Sequence, residues 1–531
     1  MSAPPAPADL SAAAARAESL RAWLAAREGG PVALVETHIS WVLLTPSHAY
    51  KLKKPLRLPF IDCATLARRR QCCEEELRLN RRLAPTLYLG VDEVHETPAG
   101  PALGDGPGPV VDVAVRMRRF APDALWTARI AAGTLGPAHA DRLAQRLADF
   151  HDAAAAAPAG GPYGTPAVLS AVAGRVADAL DAWQAALPDD RRADAAAWPA
   201  VRGWLQRELA ALAPVFEQRL RSGRVREGHG DLHLANLIVV DGDGASTAFD
   251  GIDFDPALRW IDVLHDIAFV VMDLMAHGAD ALAFRFLNAY LDASGDHEGL
   301  PVLRCYLVAR ALVRAQVAAM APAGGIAAPG PGPARYLALA LRILQSADAR
   351  LAITHGLPGS GKSFVAQGML EAAGAVRLRS DVERKRLHGL HALASSQGRA
   401  PGIYCSASNT RTYERLLALA RIGLQAGWPV IVDAAFLRAA ERDAFASLAA
   451  ALGVPLAIVD CDAPTGVLRQ RLRERQARGG DASEADETVL ARLAAIAEPL
   501  TPAEHGRALE VPGVRPPAPG DLAVRWRALA R

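Results

Sequence analysis

Lysine is nearly missing from this chain: of 59 lysine and arginine residues only five are lysine, at 51, 53, 54, 362 and 385. Surface cations tolerate the exchange, so an arginine habit covers most positions. Lysine matters where a compact, movable point charge is needed instead of a planar fork. Aromatics are scarce as well, at 5% beside 51% hydrophobic and 22% charged residues, a composition that still fits a soluble globular protein. A net charge of +2 excludes a strongly basic protein, though not a local basic patch. The six cysteines (63, 72, 73, 305, 405 and 461) have no CxxC spacing, which argues against zinc or a disulfide framework and for a reducing cytoplasm. Long apolar runs are absent too. The most apolar stretch, IAFVVMDLM at 267–275, is interrupted by Asp273 and is too short to span a bilayer. The first thirty residues lack the basic and apolar regions of a secretory signal. These absences predict a cytoplasmic protein without a membrane partner.

At 531 residues the chain exceeds one ordinary domain. An Ala/Pro-rich segment fills 1–30. Strand patterns follow in VALVETHISWVLLT, AYKLKK and VVDVAVRMRRF, with a helical pattern over 64–83 and helical periodicity from 138 to 220. A strand-turn-strand region covers 229–254, and helices run to about 320. APAGGIAAPGPGPA at 321–334 has the composition of a linker, and a connecting helix takes it to 345. From 346 to 531 strands and helices alternate, as in a parallel α/β domain. No internal repeat is visible.

Two of the five lysines lie in that last part. LAITHGLPGSGKS at 351–363 holds Gly356, Gly359, Gly361, Lys362 and Ser363 in the Walker A spacing, after a strand and before a helix. Glycines let backbone N–H groups converge on phosphate, Lys362 reaches the β/γ-phosphates, and Ser363 ligates Mg2+. In AVRLRSDVERKRL, Asp381 is a candidate base for an acceptor hydroxyl, and Arg384 or Lys385 a candidate holder of an acceptor's anionic group. Asp433 ends the strand PVIVD at a Walker B-type position. In VLRQRLRERQARGGDASEAD, Arg471, Arg475 and Arg478 share a helix face at i, i+4, i+7 and suit a lid over transferring phosphate. A turn, caps and a solvated charged helix are the plain structural alternatives. Together these motifs resemble the small P-loop kinases around polynucleotide kinase, zeta-toxin-like and AAA-type proteins, over about 180 residues.

The other three lysines stand in AYKLKK. Strand alternation puts Lys51 and Lys53 on one face and Lys54 on the other. Further on, HGDLHLAN spaces Asp231 and Asn236 as in a kinase catalytic loop, where Asp engages the acceptor hydroxyl and Asn holds Mg2+. Asp250 and Asp253 on the return strand are alternative second metal carboxylates: Asp253 lies in IDFD, and Asp250 fits the shorter spacing from Asp231. His229 reads as a brace for the loop. These residues resemble the aminoglycoside-phosphotransferase-like kinases over about 30–320. The resemblance implies a phosphate-contacting lysine, Lys51 with Lys53 as alternate, paired with a helix glutamate among Glu74, Glu75 and Glu76, of which Glu76 is preferred. Two features depart from that pattern. No glycine falls between 31 and 89, so a Gly-rich phosphate loop is missing, and Asp255 replaces the Asp-Phe-Gly glycine.

The expected architecture is an α+β bilobal protein-kinase-like domain (31–320) followed by an α/β doubly wound P-loop NTPase domain (346–531), similar to bacterial fusions of these two halves. The expected cofactors are ATP and Mg2+. The expected function is transfer of a γ-phosphate to a hydroxyl, on a small molecule more than on a nucleic-acid end. A nucleotide-gated regulatory ATPase with one or both domains non-catalytic is a second class. A toxin-like or repair factor acting on nucleic-acid ends is a third.

Overall fold

Alternating side chains in residues 33–53 build three antiparallel strands, β1 (Ala33–Glu36), β2 (Ser40–Leu44) and β3 (His48–Lys53). Thr37 and Thr45 close the two turns by accepting the N–H groups of Ser40 and His48. With β4 (Tyr88–Thr97), β5 (Gly100–Leu103) and β6 (Val110–Arg118) they form an antiparallel sheet ordered β1-β2-β3-β6-β4-β5. The computed structural model describes residues 7–58, 61–240, 244–320, 331–395, 403–478 and 482–529.

The Ala/Pro-rich start holds a helix, α1 (Pro7–Glu28), because alanine is the strongest helix former and apolar residues recur at helical spacing. Ala13, Ala17, Leu20 and Leu24 are buried, and the two leucines pack with Tyr50 and Leu52 of β3 on one face of the sheet. The other face meets α2 (Leu66–Asn80), capped by Thr65, whose hydroxyl accepts the Arg68 N–H at 3.3 Å. Alternation therefore sends Lys51 and Lys53 toward α2. Two short antiparallel ladders follow: β7 (Val225–Glu227) pairs with β10 (Trp260–Asp262), and β8 (Leu237–Val239) with β9 (Ser246–Ala248). The HGDLHLAN segment runs between β7 and β8.

These elements belong to one compact unit, Met1–Leu135 with Ala153–Val168 and Arg219–Asp266. A second unit holds Gly136–Asp152, Leu169–Gln218 and Ile267–Arg531. The packing units thus differ from the division expected near 320, since the helices after 267 pack with the P-loop sheet. In the second unit α3 (Trp198–Ala211), α5 (Leu300–Ala319) and α6 (Pro333–Leu344) pack on one another, and α4 (Asp280–Ser294) lies against the P-loop sheet. The expected linker falls largely at 321–330, outside the described residues. The helix after it lies against α5, and its Tyr336 hydroxyl donates to Asp273 at 3.0 Å, which gives the aspartate inside the apolar run a partner.

The P-loop sheet is fully parallel, ordered β12-β13-β11-β14-β15, from β11 (Leu351–His355), β12 (Val376–Arg379), β13 (Val430–Asp433), β14 (Leu456–Asp462) and β15 (Ala508–Pro512). Helices α7 (Lys362–Ala373) and Pro519–Ala528 lie on one face; α9 (Ser406–Gln425) and α10 (Ala439–Leu452) lie on the other, after α8 (Ser380–Leu387). The edge strand β12 runs along α4. There Asn288 donates to the Ala375 carbonyl (2.9 Å) and accepts the Arg377 N–H (2.6 Å), as a neighbouring strand would. Among the described residues no helix is long and apolar enough to cross a membrane.

Candidate active sites

In the first unit, Glu76 projects from α2 between the two lysines of β3. Lys51 Nζ donates to Glu76 Oε1 at 2.9 Å, and Lys53 Nζ lies 2.6 Å from Glu76 Oε2. Each lysine also holds a second carboxylate, Lys51 that of Asp250 (2.6 Å) and Lys53 that of Asp253 (2.5 Å). Burial alone would raise the Glu76 carboxyl, but the two ammonium groups outweigh it and hold the group at about 2. Burial pulls Lys51 and Lys53 down, and the surrounding carboxylates more than reverse this, leaving both raised. Lys54 leaves from the opposite face to Glu36 and the Thr37 carbonyl, at 2.7 and 2.6 Å. Glu75 pairs with Arg78 and Arg259, and Glu74 is exposed.

The two return-strand aspartates differ. Asp253, which the IDFD pattern favours, is buried at 8% side-chain exposure against Lys53, and burial raises its carboxyl. Asp250 is half-exposed at 48% and has a left-handed backbone, φ 59°, unusual for a residue other than glycine. Its N–H donates to the Tyr88 hydroxyl at 3.1 Å. The preceding Phe249 N–H donates to the Asn236 carbonyl at 3.0 Å, so Asp250 enters beside Asn236. Asn236 Nδ2 in turn donates to Asp231 Oδ2 at 3.0 Å. Lys51 thus bridges Glu76 and Asp250, and the Phe249 backbone beside Asp250 joins Asn236, which in turn holds Asp231.

His229 stands under this loop. Its Nε2 faces the Phe249 carbonyl (3.0 Å) and its Nδ1 accepts the Asp231 N–H (3.3 Å), while burial lowers its basicity. Two supports were not among the sequence candidates. Asp266, fully buried, accepts the N–H groups of His229 (2.7 Å) and Gly230 (2.9 Å). Glu227 gathers Arg78, Arg82 and Arg259 at 2.8 to 3.2 Å, tying α2 to the strand before the loop. An aspartate inside the apolar pattern DVLHDIAF is the only signal that marks Asp266.

The second unit presents a cavity of about 1260 Å³ lined by Gly361, Lys362, Asp381, Asp433, Arg471 and Arg475 among others. Gly356 has φ 135°, and a Cβ there would lie 2.2 Å from the Cys461 carbonyl, so only glycine fits this turn. Lys362 Nζ donates to the Leu357 carbonyl at 2.8 Å, and burial lowers its ammonium. Ser363 is exposed on the first turn of α7. Asp433 ends β13 and is buried, 3.9 Å from Arg379 Nε. Asp381 opens α8, where burial raises its carboxyl against the pull of Arg384 and a Ser483 hydrogen bond.

Helix α11 (Thr465–Arg478) carries the arginines. Arg471 donates to the carbonyls of Gly359 (3.2 Å) and Gly513 (2.7 Å), and Arg475 to that of Ala485 (2.6 Å). The Arg478 side chain lies outside the described part of the structure. Lys385, offered by sequence for an acceptor anion, is instead buried, donating to the Ala392 carbonyl (3.1 Å) beside Glu484 (3.3 Å). Arg384 stacks on Tyr404 at 5.2 Å.

The residues at the P-loop suit a phosphate group. Gly356 and Gly359 turn where a Cβ would strike the Cys461 and Leu468 main chain, and Ser360 Oγ is buried there without a partner. Asp250 with Asn236, and Ser363 with Asp433, are the oxygen-bearing side chains that would hold Mg2+ beside phosphate and water, oxygen being the donor this cation takes.

Residues 65–306 match the profile of the phosphotransferase enzyme family, and residues 351–500 that of an AAA domain. Over 499 residues the chain is 29% identical to an uncharacterized protein of Mycobacterium tuberculosis strain H37Rv, covering 93% of this chain and 95% of the relative. The same figures hold for an uncharacterized protein of Mycobacterium bovis. A choline/ethanolamine kinase family protein from Mesorhizobium loti is similar over 62% of this chain and 99% of its own, at 14% identity and TM-score 0.33. A sugar kinase from Janibacter sp. is similar over 34% of this chain and 96% of its own, at 21% identity and TM-score 0.27.

Proposed function

We propose that this chain, a phosphotransferase-family domain joined to a P-loop kinase domain, is an ATP-dependent phosphotransferase with two sites, each moving a γ-phosphate to a hydroxyl. The observation that carries the reading is that Lys51 bridges Glu76 and Asp250 while the adjoining Phe249 backbone ties that return strand to Asn236, and Asn236 to Asp231. Bound ATP–Mg2+ supplies a phosphoryl group whose transfer needs positioning and charge neutralisation above all. In the first site Lys51, oriented by Glu76, takes the α/β-phosphates. Asn236 and Asp250 hold the metal, since each return-strand aspartate pairs with a lysine but Asp250 is open to solvent and Asp253 is enclosed against Lys53. Asp231 accepts the proton of the acceptor hydroxyl.

In the second site the Gly356–Ser363 turn and Lys362 hold phosphate, and Ser363 and Asp433 hold Mg2+. Asp381 accepts the acceptor proton, a role its raised affinity for protons suits. Arg471 and Arg475 lie where charge on the transferring phosphate is to be balanced. A small hydroxyl compound is favoured as acceptor over a nucleic-acid end, as a net charge of +2 provides little general attraction for polyanions.

The test is radiolabelled γ-phosphate transfer, screened over sugars, nucleosides, aminoglycosides and 5′-hydroxyl oligonucleotides, with parent, Asp231→Asn and Lys362→Ala chains. Asp231→Asn should lower first-site transfer by roughly 10²- to 10⁴-fold while ATP affinity stays near the parent's. Transfer that survives both substitutions unchanged would sink the proposal.

A further inference from the structure

The cavity of the second site is completed from outside the P-loop sequence. Asp381 and Arg384 enter it from α8, which follows β12, and that strand rests on α4. Asn288 of α4 occupies the edge of β12, and Gly374, just before the strand, is where a Cβ would come within 3.0 Å of the Phe284 ring. Arg386 of α8 donates to the Asp292 carbonyl at 2.5 Å and pairs with Glu383. These contacts fix the acceptor side of the cavity to a helix of the preceding segment.

The Asp292 carboxylate reaches furthest toward the chemistry. Its Oδ2 stands 3.2 Å from Arg377 and 3.8 Å from Arg379, two residues on one side of β12. Arg379 lines the cavity, and its Nε lies 3.9 Å from Asp433 Oδ2. One guanidinium is thus drawn by two carboxylates, one from α4 and one at the end of β13. Arg379 is also the residue that caps α8, two positions before Asp381.

We infer that Asp292 is a positioning residue for the P-loop site: by holding Arg379 it keeps that cation from closing onto Asp433 and fixes the strand end from which Asp381 enters the cavity. The assignment rests on the P-loop reading above. Removing the Asp292 charge leaves Asp433 as the remaining carboxylate among these two, so Arg379 competes with Mg2+ for it. Removing it also frees the start of α8, and a displacement of an ångström at a reacting group is costly.

The experiment uses the full chain and the Lys362-dependent hydrolysis of ATP, with water as acceptor. Asp292→Asn keeps shape and hydrogen-bond acceptance but loses charge. It should raise the Mg2+ concentration for half-maximal rate roughly three- to fivefold, the weight of one partly exposed ion pair. Turnover should fall roughly tenfold or more. The KM for ATP at saturating Mg2+ should stay near the parent's, while the melting temperature falls, since buried Arg377 loses the carboxylate it holds at 3.2 Å. Adding Arg379→Gln to Asp292→Asn should return the Mg2+ dependence to the parent value, which a purely structural role does not predict. Parent-like Mg2+ dependence and turnover in Asp292→Asn would overturn the assignment while leaving the P-loop reading intact. A parent chain without Lys362-dependent hydrolysis would strike that reading, and this assignment with it.

Discussion

Lys51 and Lys362 stand at the two candidate phosphate sites in opposite electrical surroundings. Lys51 is enclosed by the carboxylates of Glu76 and Asp250, and its hold on the proton is strengthened. Lys362 is held by a main-chain carbonyl five residues away, and its hold on the proton is weakened by burial. The first arrangement is built from side chains gathered across as many as 199 residues, the second from the local course of the backbone. A site made of opposed charges is sensitive to neutralisation at constant shape. A site made of backbone is sensitive to a single added carbon.

The sharpest way to break this contrast is Glu76→Gln, which removes the carboxylate shared by Lys51 and Lys53. Leaving buried ammonium groups short of a partner costs about 3–5 kcal/mol, measurable by denaturant unfolding of the full chain. A loss below 1 kcal/mol would mean that the lysines balance their charge elsewhere. Acid titration checks the same cluster. Because the folded-state Glu76 carboxyl lies at about 2, against an ordinary 4.5, its stabilisation is complete above pH 4.5 and disappears as pH falls toward 2. The raised lysines contribute fully below 10.5 and lose their share only at higher pH, so the contribution of Glu76 and the two lysines should be level in between. In Glu76→Gln the acid limb from this residue should vanish.

The complementary substitution is Gly356→Ala. Strain at a positive φ is worth about 1–3 kcal/mol, and the new methyl meets the Cys461 carbonyl as well. Equilibrium dialysis should find nucleotide stoichiometry reduced from two to one, with the affinity of the Lys51 site retained. Loss of both sites would show that they are not separately built. The smallest effect is expected from cutting the chain. With a site-specific protease sequence placed within 321–330, the cleaved protein should still elute as one species in gel filtration, since α6 stays on α5 and α4 stays on β12. Separation of the pieces would assign most of the cohesion of this unit to the covalent connection.

Legibility in the sequence followed the same division. The P-loop was readable because its parts are contiguous and its glycines announce the backbone course. The fold class of both halves was readable from strand alternation, helical periodicity and two motifs in their expected settings. Alternation also put Lys51 and Lys53 on one face, but nothing local indicates that both converge on Glu76. Nor does the IDFD pattern reveal that Asp253 is occupied by Lys53 while Asp250 takes the left-handed turn. Such pairings are decided by packing between distant segments. Asp266 and Asn288 escaped for a related reason: each is a polar residue in a helix, and the main-chain groups it ties to that helix lie 36 to 89 residues away.

The Asn288 contact to β12 also bears on how the chain is made. An open edge strand invites pairing with another molecule, and this edge is covered by a side chain that precedes it by 89 residues. During synthesis α4 leaves the ribosome before β12, so the cover is present before the edge it protects. A P-loop half beginning after the connecting helix would be born with that edge uncovered. The order of the two halves in the gene is therefore itself a safeguard against self-association.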